Sequence, residues 1–180
     1  MRDWNVVITV REGGFARARR LLESLGEVGR TDFYNVLVMK AGDRPQYMET
    51  LREQVTAEPD LLSQVLARVL PASAVFNFQT PAQFESQAQE IVAALVPALA
   101  NKAFHVRMTR RGFKGRLSSM DEERFLDHFL LAALEEAGTP GQIRFASPEA
   151  VIAIETVGPR AGLALWQRPD LERYPFLRIQ

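Results

Sequence analysis

A chain of 180 residues, 47% of them hydrophobic and 24% charged, can build one domain or two small packed ones, and its composition is neither fibrous nor disordered. Cysteine is absent, which excludes a disulfide framework, thiolate zinc sites and a cysteine nucleophile. Lysine plus arginine equals aspartate plus glutamate at 22 each, so the net charge of +0 gives no overall attraction to a polyanion.

The start, Met1-Arg2-Asp3-Trp4, runs directly into an alternating pattern without an apolar leader, and no apolar stretch reaches the length of a membrane span. The expected location is cytoplasmic, with no membrane partner. Trp4, Val6, Ile8 and Val10 recur at period two and predict a strand with Asn5 and Thr9 on its other face. Gly13-Gly14 turn the chain into a helix carrying Phe15, Ala18, Leu21, Leu22 and Leu25, closed by Gly26. Phe33 to Met39 is a continuous β-prone run, as in a strand covered on both faces. Asp43 and Pro45 open a helix through Val55, a further helix is expected over Pro59 to Leu66, and Val75-Phe76-Asn77-Phe78 reads as the closing strand. This order is that of a small ferredoxin-like α/β sandwich over residues 1–79.

Thr80-Pro81-Ala82-Gln83 then supplies an N-cap, a proline at the first helical position and a capping-box glutamine. Phe84, Ala88, Ile91, Leu95 and Leu99 form the buried stripe of that helix. Phe104, Val106 and Met108 alternate with His105, Arg107 and Thr109 in a strand whose outward face is polar and basic. A loop follows from Arg110 to Leu117, and Ser119 with Glu122 reads as a capping box for a long helix closed by Gly138. Strands are expected over Gln142 to Phe145, Val151 to Thr156 and Ala161 to Trp166, and one helical turn over Pro169 to Tyr174. The second division is thus residues 80–180, also α/β.

Charge is unevenly placed. From Ile91 to Met120 there is no acidic residue, while Lys102, Arg107, Arg110, Arg111, Lys114 and Arg116 all fall in that interval. Closely spaced cations neutralise neighbouring phosphates, the glycines at 112 and 115 let backbone approach a nucleic acid, and Phe113 is a candidate for stacking on an unpaired base. The competing reading is a solvated basic connection with Phe113 tucked into the core. Arg17 and Arg20 share a face of the first helix and make a second basic cluster, either solvent-facing or part of one groove with the loop. Charge reversal at Arg110 and Arg111 is expected to weaken RNA binding and leave the fold intact.

Catalytic patterns are sparse. His105 and His128 are the only histidines and lie on different elements, and no metal site is expected of them. Arg11-Glu12-Gly13-Gly14 lacks the lysine and hydroxyl of a phosphate loop, there is no Gly-x-Ser-x-Gly elbow, and Asp121, Glu122 and Glu123 suit a helix N-terminus.

The run Phe104-His105-Val106-Arg107-Met108-Thr109-Arg110-Arg111-Gly112 resembles the THUMP domain, an RNA-binding module attached to tRNA thiouridine synthases, pseudouridine synthases and RNA methyltransferases. Ser147-Pro148-Glu149 followed by Val151-Ile152-Ala153-Ile154-Glu155 is similar to that family's turn and strand, and Arg68-Val69-Leu70-Pro71 with Phe76-Asn77-Phe78 to the stretch before its first helix. The resemblance covers residues 68–166 and implies a THUMP-like fold preceded by a ferredoxin-like one. It further implies a non-enzymatic RNA-binding role without a cofactor, since catalytic members carry an enzyme domain beyond this point. The partners implied are structured RNA, with tRNA foremost, and a separate RNA-modifying enzyme. The tail Leu171-Glu172-Arg173-Tyr174 is similar to that of the stand-alone tRNA acetylation adaptor, from which Pro175-Phe176 departs. The alternative function is a protein-interaction or small-ligand regulatory module on a ferredoxin-like scaffold without RNA binding.

Overall fold

The computed structural model describes residues 1–179. The chain divides into two compact units, residues 1–73 together with 169–179, and residues 74–168. Both are mixed α/β, and among the described residues no helix is long and apolar enough to cross a membrane.

The first unit runs β1 (Val6–Val10), α1 (Phe15–Glu23), β2 (Val28–Arg30), β3 (Val36–Met39), α2 (Arg44–Ala57) and β4 (Leu66–Pro71). Its antiparallel sheet has the order β2-β3-β1-β4, so β1 and β3 are central. That position explains why β3 is buried along its whole length. Gly14 is required at the entrance to α1 because a Cβ there would stand 2.9 Å from the carbonyl oxygen of Gln64 and the Cα of Val65. Asp43 caps α2 by accepting the N–H of Gln46, as its position ahead of Pro45 predicts.

Residues 61–65 form a single wide helical turn rather than the expected helix over 59–66, and the chain then enters β4 at Leu66. β4 therefore closes the first sheet, and the segment expected to do so, 75–78, lies instead in the second. The run Leu66-Ala67-Arg68-Val69-Leu70-Pro71 is short and apolar, a pattern that periodicity does not separate from a buried helix. The tail belongs to this unit: the Val69 N–H donates to the Phe176 carbonyl (2.9 Å), Phe176 and Leu177 are fully buried, and Arg173 and Tyr174 hold the Glu49 carboxylate on α2.

The second unit contains β5 (Ala74–Asn77), α3 (Pro81–Ala93), a 3-10 turn at Val96–Leu99, β6 (Ala103–Thr109), α4 (Ser119–Glu136), β7 (Gln142–Ile143), β8 (Ala150–Val157) and β9 (Arg160–Gln167), after which α5 (Arg168–Arg173) begins. The sheet order is β5-β9-β8-β6-β7. β6 is parallel to β7 and β8, and β9 is antiparallel to β8 and β5. Parallel neighbours need a crossover, and α4 supplies it.

Thr80 caps α3, accepting the Gln83 N–H at 3.1 Å, while Gln83 reaches back to the Gln79 N–H at 2.7 Å. The cap of α4 is Ser118, one residue before the expected Ser119, and it accepts the Asp121 N–H. Phe84, Ala88 and Val92 of α3 and Leu126, Leu130 and Leu134 of α4 pack on the sheet face formed by Phe104, Val106, Met108, Ile152 and Ile154. These side chains are essentially dry, and burial of each one larger than Ala88 contributes roughly 1.5–3 kcal/mol relative to exposure.

Candidate nucleic-acid interface

β6 carries the acid-free interval into its loop. Past Phe104 the strand has no β7 neighbour, so the backbone donors of Val106 and Met108 face an open edge. Two carboxylates one helical turn apart on α4 meet them: Asp127 accepts the Val106 N–H at 3.0 Å and Glu123 the Met108 N–H at 2.8 Å. Burial, opposed by the Val106 N–H, pushes the Asp127 carboxyl up to about 6. The acidic start of α4 thus has a structural task beyond favouring the helix dipole.

The two faces of β6 differ from expectation in one respect. Arg107 is exposed as predicted, but His105 is buried and not part of a wet face. Burial, with a smaller contribution from Arg107, pushes the imidazole below its ordinary value, and among the described residues its Nε2 has no hydrogen-bond partner.

The loop is shaped by left-handed residues at Gly112 (φ +96°), Phe113 (+56°) and Gly115 (+77°). Glycine adopts such angles without a Cβ clash, so Arg110 to Leu117 turns within a few residues and reaches the Ser118 cap. Arg110 donates to the Gly112 carbonyl across the turn. Arg111 is committed elsewhere. Its Nη1 pairs with Glu155 Oε1 at 2.8 Å, with side-chain exposures of only 10% and 4%. Its N–H donates to Thr156 Oγ1 (2.9 Å), and its carbonyl accepts the Gly158 N–H (2.9 Å). Arg111 therefore staples the loop to β8, and reversing its charge would not leave the fold intact as expected.

Phe113 is half-buried, packing on Phe78 with ring centroids 4.9 Å apart, and the Arg116 guanidinium lies 4.8 Å from its centroid. The ring serves the edge of the core, the competing reading of the sequence. Arg116 also donates to the Gln79 carbonyl, yet it remains exposed, as does Lys114. Lys102, at the other end of β6, is half-buried and donates to Gln167 (3.1 Å). Arg107, Lys114 and Arg116 thus present their charge to solvent on one strand and the loop it feeds, with no acidic side chain paired to them among the described residues.

In the first unit Arg17 is held by Glu58 (3.0 Å) and Asp60 (2.8 Å), whereas Arg20 is exposed in the last turn of α1. The acidic pair lies more than forty residues downstream, so the helix pattern alone carried no sign of it. Reasoning from sequence also passed over Arg144 and Phe145, which are exposed beyond a β7 that stops at Ile143. The signal was a phenylalanine placed next to Ala-Ser-Pro.

No family model matches the sequence, and no curated protein does. Among solved structures the chain is similar to PH1313 from Pyrococcus horikoshii OT3, with a TM-score of 0.59 at 11% identity over 89% of this chain and 53% of that one. It is also similar to TrmN from Thermus thermophilus, with a TM-score of 0.55 at 15% identity over 89% and 44%. A 4-thiouridine synthetase solved with RNA and ATP matches with a TM-score of 0.50 at 14% identity over 90% and 41%. The chain spans about half the length of these proteins or less, and at such identities the likeness is one of fold. The shared fold supports the THUMP-like architecture implied by the β6 motif and its surroundings.

Proposed function

We propose that this chain is a non-catalytic RNA-binding module that holds tRNA for a modifying enzyme on a separate polypeptide. The observation that carries the reading is the exposure of Arg107, Lys114 and Arg116 on an acid-free segment, with Arg110 beside them on a glycine-shaped turn. Exposed, unpaired cations keep their full attraction for phosphate, and their release of counterions drives association. Arg110 and Arg116 suit the role because a planar guanidinium can take two phosphate oxygens at once. Lys102 extends the proposed surface within the second unit and Arg111 positions the loop, while Arg20, and Arg17 with its two carboxylates, are proposed as RNA contacts of the first unit by itself. Likeness to a synthetase solved with RNA supports the reading, as does the THUMP resemblance.

The test is tRNA binding titrated at stepped salt concentration. With about four phosphate contacts, affinity should fall by about two orders of magnitude between ~50 and ~200 mM salt. Replacing Arg107, Lys114 and Arg116 together by glutamine should flatten the log–log slope by about three while leaving the melting temperature nearly unchanged. Binding that keeps its slope in that triple variant would place the interface elsewhere.

The non-catalytic part has its own check: nucleoside composition of tRNA incubated with the protein and common methyl, acetyl or sulfur donors should stay as it was. A new nucleoside made by this chain alone overturns that part. The protein-interaction alternative draws on a shallow groove between α3 and α4 lined by Ala82, Glu85, Ser86, Phe125 and Phe129. Its acidic rim disfavours RNA, and absence of any tRNA binding would turn attention to it.

A further inference from the structure

Phe145 is 72% exposed, while every other phenylalanine of the chain is buried or half-buried. Exposed single apolar residues are ordinary, but this one stands on a braced segment. The Arg144 N–H donates to the Phe104 carbonyl (3.0 Å), and the Glu149 N–H to the Ala103 carbonyl (2.8 Å). Glu149 Oε2 accepts the Ala103 N–H (2.7 Å), and Arg168 donates to the carbonyls of Ser147 (2.7 Å) and Pro148 (3.3 Å). Both flanks of the ring are therefore pinned to β6 and to the start of α5. A rigid aromatic loses little conformational freedom when a ligand lands on it.

The surroundings favour an anion with a π-face. Arg144 is exposed next to Phe145 in the chain. The Phe145 ring lies 5.4 Å from that of His105, and Arg107 projects from the same side of β6 two residues further on, about 7 Å along the strand. His105 is 2% exposed, and its Nε2 is a buried atom without a hydrogen-bond partner among the described residues.

We propose that Phe145 is a stacking platform for one unpaired RNA base, with Arg144 and Arg107 taking the phosphates on either side of that nucleotide. This rests on the RNA-binding reading and deepens it, moving base contact from Phe113 to a ring that solvent reaches. Base–aromatic stacking tolerates any base, so the site adds affinity for unpaired RNA without choosing a sequence.

The experiment compares wild type and Phe145→Ala on three probes: tRNA, a short single-stranded RNA carrying 2-aminopurine, and a blunt RNA duplex. Phe145→Ala should weaken single-strand binding by about 5- to 150-fold, leave the duplex alone, and abolish the change in 2-aminopurine fluorescence. Phe145→Trp should retain both the single-strand affinity and the fluorescence change that Phe145→Ala loses. The salt slope should be unaltered by Phe145→Ala and reduced by about one for each of Arg144→Gln and Arg107→Gln. Single-strand binding by Phe145→Ala equal to wild type, or an equal loss on the duplex, overturns the proposal. Wild type that binds tRNA but not single-stranded RNA overturns it alone, whereas wild type that binds no tRNA rejects the RNA-binding function and this site with it.

Discussion

Arg111→Gln should unfold the protein at a temperature lower by roughly ten degrees, reflecting a loss of about 3–5 kcal/mol. The side chain is an arginine in a basic loop, and by sequence it belongs with its neighbours. By position it does not, because its guanidinium meets Glu155 where both are almost dry. Removing the cation leaves a buried carboxylate without its main countercharge, and a buried charge of that kind costs more than any exposed bridge returns. The Arg17 bridges make the contrast, since their partners are about half exposed and Arg17→Gln should shift the melt little. Adding Glu155→Gln to Arg111→Gln should recover most of the loss, because the double variant carries no stranded charge. A melt for Arg111→Gln that coincides with wild type would mean that the pair contributes nothing and that Arg111 is free for RNA.

The second large effect concerns Glu122. It sits in the first turn of α4, 4% exposed, and burial, with Glu85 and Asp121 nearby, pushes its carboxyl up to about 8 from an ordinary 4.5. The folded protein therefore holds a proton that the unfolded chain has already released above about pH 4.5. The stabilising effect of that proton is complete below pH 4.5 and is lost as pH rises to about 8, at about 1.4 kcal/mol for each unit. Asp127 adds a similar slope only up to about 6. Between pH 6 and 8 the fall in melting temperature should thus be due mainly to Glu122. Glu122→Gln should abolish most of it and make the protein more stable at pH 8 by on the order of a few kcal/mol. Melts of both proteins from pH 5 to 9 decide the matter, and parallel curves would show that Glu122 titrates normally.

What could be read in advance was local. The cap at Thr80, the period-two alternation of β1 and the glycine-flanked basic loop are each contained within a few neighbouring residues, and each has its counterpart in the structure. The misreadings involve short segments or distant partners. β2 spans only Val28–Arg30 and offers too few residues for an alternation. Residues 61–71 switch from a helical turn to a strand within one apolar run. For the candidate site, the loop and its exposed cations were legible, because glycines and basic residues cluster in the chain. The commitment of Arg111 was not, since Glu155 lies 44 positions away. Phe113 was singled out for stacking and Phe145 was placed at the end of a strand, and only the packing of Phe113 against Phe78 and the exposure of Phe145 reverse that order.

The carboxylates that meet the backbone of β6 bear on self-association. A strand edge with unused N–H groups is a template on which a second molecule can add a strand, the first step toward ordered aggregates. At Val106 and Met108 that template is occupied from within the same polypeptide, by Asp127 and Glu123. A helix here takes the place of the missing strand, so the sheet stops growing where β7 ends. The edge can then lie beside a solvent-facing cationic surface without recruiting copies of itself.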